Sequence, residues 1–194
     1  MTVNDDRIQV DRMRYTKNTT SSRLVIIAIL FDVLYFVSIY KLDVYNPVIE
    51  FANRSLNNSY YTIYLGASIV FNLVFLLVAF LSSEGVKNYR RGFSKMLLVL
   101  GALQIARIFF LPSMLHSSFL YKAEDAHTEE FLFRFLNVQL PAVRDVTFMD
   151  DWQFIRVCAY LICSALCLFV AARINSKKSS ALAAHIENLE SLQA

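Results

Sequence analysis

Asp32, Asn72, Gln104 and Arg107 are polar side chains set inside runs that are otherwise apolar. A carboxylate and a guanidinium form a charge-assisted pair when they meet, and a carboxylate at a membrane midplane can also serve as a proton site. Gln104 and Arg107 have i, i+3 spacing, so they share one face of a helix. At ~1.5 Å of rise per residue, Asp32 lies about 14 Å beyond Arg23 and Arg107 about 18 Å beyond Lys95. By the same count Asn72 lies about 15 Å from the inner end of its run. All three depths are near the middle of a ~30 Å hydrocarbon layer. An isolated charge there costs on the order of 3 kcal/mol, a cost that pairing offsets. The four side chains are therefore expected to converge, Asp32 against Arg107, with Asn72 and Gln104 completing the hydrogen bonds. A carboxylate already held by a guanidinium is a poor proton shuttle, so the expected role is structural first.

Two further sets of residues have a recognisable pattern. Ala159, Cys163, Cys167 and Ala171 repeat every four residues, a stripe of small side chains that allows close helix approach or a subunit interface. The cysteines include no CxxC pair, and neither a metal site nor a disulfide framework is expected from them. In the C-terminal segment, Leu182, Ile186 and Leu189 share one face of a short amphipathic helix, capped by Ser179 or Ser180, that suits docking to a partner or to the inner leaflet. His116 and His127 match no metal-ligand spacing. The sequence contains no phosphate loop, nucleophile elbow or haem attachment motif, and no cofactor is expected.

The elements that must position these residues follow from composition. Of 194 residues, 56% are hydrophobic and only 18% charged, below the usual quarter for a soluble domain. The apolar residues come in blocks, and a spanning helix needs about 20 of them in sequence. Four blocks qualify: residues 23–41, 61–82, 95–115 and 153–174. The fold expected is an all-α, polytopic integral membrane protein, a four-transmembrane-helix bundle. Residues 1–22 form a polar N-terminal segment and 175–194 a C-terminal tail with a short cytoplasmic helix. The outer segment 116–152 holds an apolar stretch between Thr128 and Pro141, read as a short interfacial helix.

Orientation comes from the basic residues. The N-terminal segment, the linker 83–94 and the tail hold most of the Lys and Arg, including Arg12, Arg14, Lys87, Arg90, Arg91, Lys177 and Lys178. The opposite side carries Lys41, Arg54, Lys122, Arg134 and Arg144. That asymmetry puts both termini in the cytoplasm; the membrane expected is the plasma (inner) membrane. Trp152 and several tyrosines, Tyr40, Tyr45, Tyr60, Tyr61 and Tyr64, then fall near the outer interface. Asn53 and Asn57 open two glycosylation sequons there, relevant in a eukaryotic source. A net charge of +3 is too small to suggest nucleic acid as a partner.

These features favour a non-catalytic subunit that stabilises, anchors or regulates a larger membrane complex. The partners expected are the lipid bilayer and other membrane subunits or further copies of the chain. The alternative is a small homo-oligomeric proton-coupled transporter using Asp32. In having four spans with an acidic residue in the first, the chain resembles small multidrug exporters. It departs from them in its long outer segment, its tail and the arginine opposing the acid. A membrane enzyme is the third class; it lacks a reactive constellation near an interface.

Overall fold

The computed structural model describes residues 3–40, 59–116, 119–122, 143–146 and 149–191. The polar N-terminal segment forms helix α1, Val3–Thr16, and α2 follows at Thr19–Tyr40. Helix α3 covers Ser59–Lys87 and α4 covers Gly92–Ile108, with the short α5 at Leu111–His116. Strands β1, Phe119–Lys122, and β2, Val143–Val146, pair antiparallel, Phe119 opposite Val146. The last element is α6, Asp151–Ser191, of 41 residues.

The bundle itself is all-helical, and four helices are long and apolar enough to cross a membrane. It is inside out relative to a bundle folded in water. Leu30, Leu73, Val99 and Leu166 lie outside with about half of their surface exposed, at 57%, 59%, 58% and 56%. Asp32, Asn72 and Gln104 are at 0% in the interior. A soluble protein rarely shows contiguous apolar surface on this scale, because each exposed apolar side chain forgoes its burial energy in water.

α6 is the central post. It packs along α2 and α4, while α2 also packs on α3. Its buried residues Val157, Leu161, Ser164, Leu168, Ala171 and Asn175 recur every three or four positions, one continuous helix face. Two glycines set the closest approaches. A Cβ at Gly101 would stand 2.6 Å from the Phe169 ring, and one at Gly85 would stand 2.4 Å from the Phe93 ring. Glycine is what admits an aromatic ring against the backbone of α4 in the first case and α3 in the second.

Three sequence expectations change. The third apolar run does not continue as one helix to residue 115. It breaks at Phe109 and Phe110, whose amides bond to Ala106 and Arg107 in a tightened last turn, and α5 then begins around Pro112. Pro112 lacks an amide proton and its ring clashes with the carbonyl four residues back, which ends α4. The tail is not a separately capped helix. α6 passes through Ser179 and Ser180 unbroken, and the Ser179 hydroxyl donates backwards to the Ser176 carbonyl at 3.1 Å instead of capping. No Gly or Pro interrupts residues 175–191, so nothing stops the helix. At ~1.5 Å per residue α6 is about 60 Å long, twice the ~30 Å that a spanning helix needs. Finally, the first apolar run, expected to start at residue 23, lies in a helix that starts earlier, at Thr19, with Ser21 and Ser22 in its first turn.

α1 packs on α6, with Val10 buried at 5%. Lys17 separates α1 from α2 in a left-handed conformation, φ 50°, its amide closing on the Met13 carbonyl at 3.1 Å. The expected outer helix at Thr128–Pro141, the asparagines of both sequons, Asn53 and Asn57, and His127 lie outside the described residues. So do the side chains of the named tyrosines.

Candidate functional site

Each of the four long helices delivers a polar residue to one level of the bundle. α2 supplies Asp32, α3 Asn72, α4 Gln104 and Arg107, and α6 Ser164. Arg107 Nη1 donates to Asp32 Oδ1 at 2.6 Å and to Gln104 Oε1 at 2.6 Å. Its Nη2 donates to Asn72 Oδ1. Gln104 Nε2 donates to Asp32 Oδ1 at 2.9 Å and to Ser164 Oγ at 3.0 Å. The Ser164 hydroxyl donates in turn to the Ala28 carbonyl of α2 at 3.0 Å.

Aromatic rings enclose the guanidinium. Its carbon lies 4.5 Å from the Tyr35 ring centre, 5.1 Å from Phe71 and 5.8 Å from Phe75. Electron-rich ring faces stabilise a cation away from water. The arrangement thus gives Arg107 one charge partner, two amide oxygens and a cage of rings. Two polar atoms of the cluster are buried without a hydrogen-bond partner: Asp32 Oδ2 and Asn72 Nδ2.

A recess of about 270 Å³ opens between α3 and α4 and ends at Arg107. Tyr35, Phe71, Leu103, Ala106 and Phe110 form its walls, so it is apolar apart from the guanidinium and Ser68. What this centre can do chemically is hold one buried carboxylate in a fixed ion pair and present it to little else.

The four residues expected to converge are in one hydrogen-bonded cluster. Ser164 joins them, although sequence reasoning left it outside. Its signal was there: a hydroxyl in the fourth run at a depth close to that of the other polar residues. The small-residue stripe is placed differently. Ala171 is buried, Cys163 and Cys167 are half-buried and Ala159 is exposed. The packing face of α6 passes through Leu161, Ser164 and Leu168 and meets the stripe only at Ala171. Leu168 lies in the core with Val25 and Ala28 of α2 and Leu97 and Leu100 of α4, and Cys167 is only partly buried against it. Leu182, Ile186 and Leu189 are half-buried in the C-terminal turns of α6, a helix on which α1 also packs.

A second polar network was missed from the sequence. Asn18 Nδ2 donates to Ser21 Oγ at 2.9 Å and to Asn175 Oδ1 at 3.1 Å. Asn175 Nδ2 donates to Ser94 Oγ at 2.8 Å and to the Arg90 carbonyl at 3.2 Å. Lys178 Nζ reaches Asn18 Oδ1 at 3.2 Å, and the Ser22 and Ser83 hydroxyls bond at 2.8 Å. The Asn18 amide donates to the Lys87 carbonyl at 2.9 Å. These bonds tie α2, α3, α4 and α6 together at the end of the bundle where α1 joins. At the other end, His116 stacks on Phe154 with centroids 4.4 Å apart, and its Nδ1 lies 3.2 Å from the Met149 carbonyl. Among the described residues no three His, Cys, Asp or Glu side chains gather as a metal-binding group.

Comparison with known proteins finds no matching family model, no matching curated protein and no matching solved structure.

Proposed function

We propose that this chain is a small, non-catalytic integral membrane subunit that stabilises, anchors or regulates a larger membrane complex. In this reading it sits in the plasma (inner) membrane with both termini in the cytoplasm. The observation that carries it is the closure of the Asp32–Arg107 pair within the chain, 2.6 Å apart and tied to all four long helices. Intramembrane charges that carry ions or protons line a continuous path; here Asp32 is fully buried, the Arg107 guanidinium closes the end of an apolar recess against Tyr35, Phe71 and Phe75, and the pair fixes which helices are neighbours. Outside the apolar runs the polar residues go into a stalk made of α1, which packs on α6, and of the C-terminal turns of α6, where Glu187, Asn188 and Glu190 are exposed. A stalk of that kind suits contact with a cytoplasmic partner.

Purification of the full chain in mild detergent, with mass measurement of what accompanies it, tests this reading. Stoichiometric larger polypeptides are expected, and their loss when residues 182–191 are removed. A homogeneous assembly of this chain alone would overturn it.

One observation favours the transporter as a second reading. Asp32 Oδ2 is buried without a hydrogen-bond donor, at the centre of the bundle. A proton-coupled carrier would then be a pure homo-oligomer whose Asp32→Asn form loses flux in proteoliposomes.

A further inference from the structure

Besides the central recess, the bundle has a larger groove of about 520 Å³ between α4 and α6, at the end where the second polar network lies. Its rim is formed by Arg91, the residue that caps the start of α4, with Lys95 on α4, and by Arg173 and Lys177 on α6. Each pair has i, i+4 spacing, so both members of a pair share a helix face and the two pairs line one groove. None of the four has a carboxylate partner among the described residues, where the ion pairs are Lys87–Glu84, Arg107–Asp32 and His116–Asp151. No acidic residue lines the groove. Four like charges around one concavity repel one another unless an anion lies among them.

The floor is of a different kind. Leu98 and Phe169 lie toward the middle of the span from the cations, and Ala172 makes room between the helices. Phe169 reaches this position because Gly101 leaves its own Cβ space to the ring. The width is held by Asn175 of α6, which donates to Ser94 of α4 at 2.8 Å. The groove is therefore fixed by buried bonds and grades from cationic rim to apolar floor along the bundle axis. A free phosphate ion matches only the rim. A lipid with an anionic headgroup and acyl chains matches both parts.

We propose that this groove binds an anionic glycerophospholipid of the inner leaflet, its headgroup phosphate between the Arg91/Lys95 and Arg173/Lys177 pairs and an acyl chain along Leu98 and Phe169. Basic pockets between spanning helices on the cytoplasmic side suit such headgroups. The site rests on the membrane-spanning, cytoplasmic-termini part of the proposed function and is independent of any partner subunit.

The full chain is reconstituted in nanodiscs of phosphatidylcholine alone or with a minority of phosphatidylglycerol or cardiolipin, then released for native mass spectrometry. Folded insertion in phosphatidylcholine alone checks the membrane reading separately. Wild type is expected to retain anionic lipid at least ten-fold over phosphatidylcholine, and K95Q/R173Q to lose that preference. K95R is expected to keep it. A matched neutralisation outside the groove, R12Q/R14Q, is expected to leave it unchanged. Equal retention of phosphatidylcholine by wild type would overturn the proposal. So would equal loss in R12Q/R14Q, which marks a diffuse surface charge. Thermal stabilisation by inorganic phosphate equal to that by phosphatidylglycerol would overturn the lipid assignment.

Discussion

At the scale of single residues, Arg107 organises the centre of this protein. Its two terminal nitrogens reach oxygens from three helices, Asp32 on α2, Asn72 on α3 and Gln104 on its own α4. Lysine has neither the planar fork nor the number of donors to do the same. Removing one partner leaves the other charge buried and alone, a penalty of about 3 kcal/mol or more. Asp32→Asn and Arg107→Gln are each expected to destabilise the bundle by that order, and the double variant by clearly less than their sum. A double-mutant cycle read by unfolding in mixed micelles measures the difference; strict additivity would show that the two charges are not partners. Ser164→Ala removes a neutral link, and its cost is expected to be smaller, about 1 kcal/mol. The depths of Asp32, Asn72 and Arg107 were legible from position in the run, since depth is residue number times rise. Ser164 was not singled out, because a serine in a membrane helix has many bland roles and only its neighbours show which one it has.

Among the elements, α6 departs most from expectation. A polar tail after a spanning run reads as a separate piece, and Ser179 and Ser180 read as its cap. In the fold the helix runs on, because the following residues are good helix formers and α1 packs on α6. Val10 is the buried anchor of α1, whereas Ile8 on the same helix is 55% exposed. Val10→Asp places a charge where none can be solvated, so α1 is expected to detach. Trypsin cleavage after the exposed Arg12 and Arg14 is then expected to accelerate about ten-fold, the equivalent of ~1.4 kcal/mol of local stability. Ile8→Asp is the control and leaves the cleavage rate unchanged. The end of α4 was open to sequence reasoning: Pro112 stands inside the third apolar run, and a proline there ends or kinks a helix.

For the whole molecule, the proposed topology, with four long apolar helices all crossing, puts the ends of α1 and α6 on one side and the start of α6 on the other. With Cys158, Cys163 and Cys167 changed to alanine, single cysteines at Thr16 and Ser191 are expected to react with an impermeant maleimide only after the cytoplasmic face is opened. A cysteine at Asp150 is expected to react in intact cells. The reverse pattern would invert the topology drawn from the basic residues.

The number of long apolar helices, their approximate limits and the level of Asp32, Asn72, Gln104 and Arg107 along them were determined by sequence alone. All three depend on quantities that run along the chain, hydropathy and rise per residue. Rotation about each helix axis was decided only by tertiary structure. It turned Ser164 inward beside Gln104 while leaving Ala159 exposed, and it gathered Asn18, Ser22, Ser83, Ser94 and Asn175 into one network from four separate stretches. The face a helix buries is set by how its ridges seat against two neighbours at once, and no single stretch of sequence contains those neighbours.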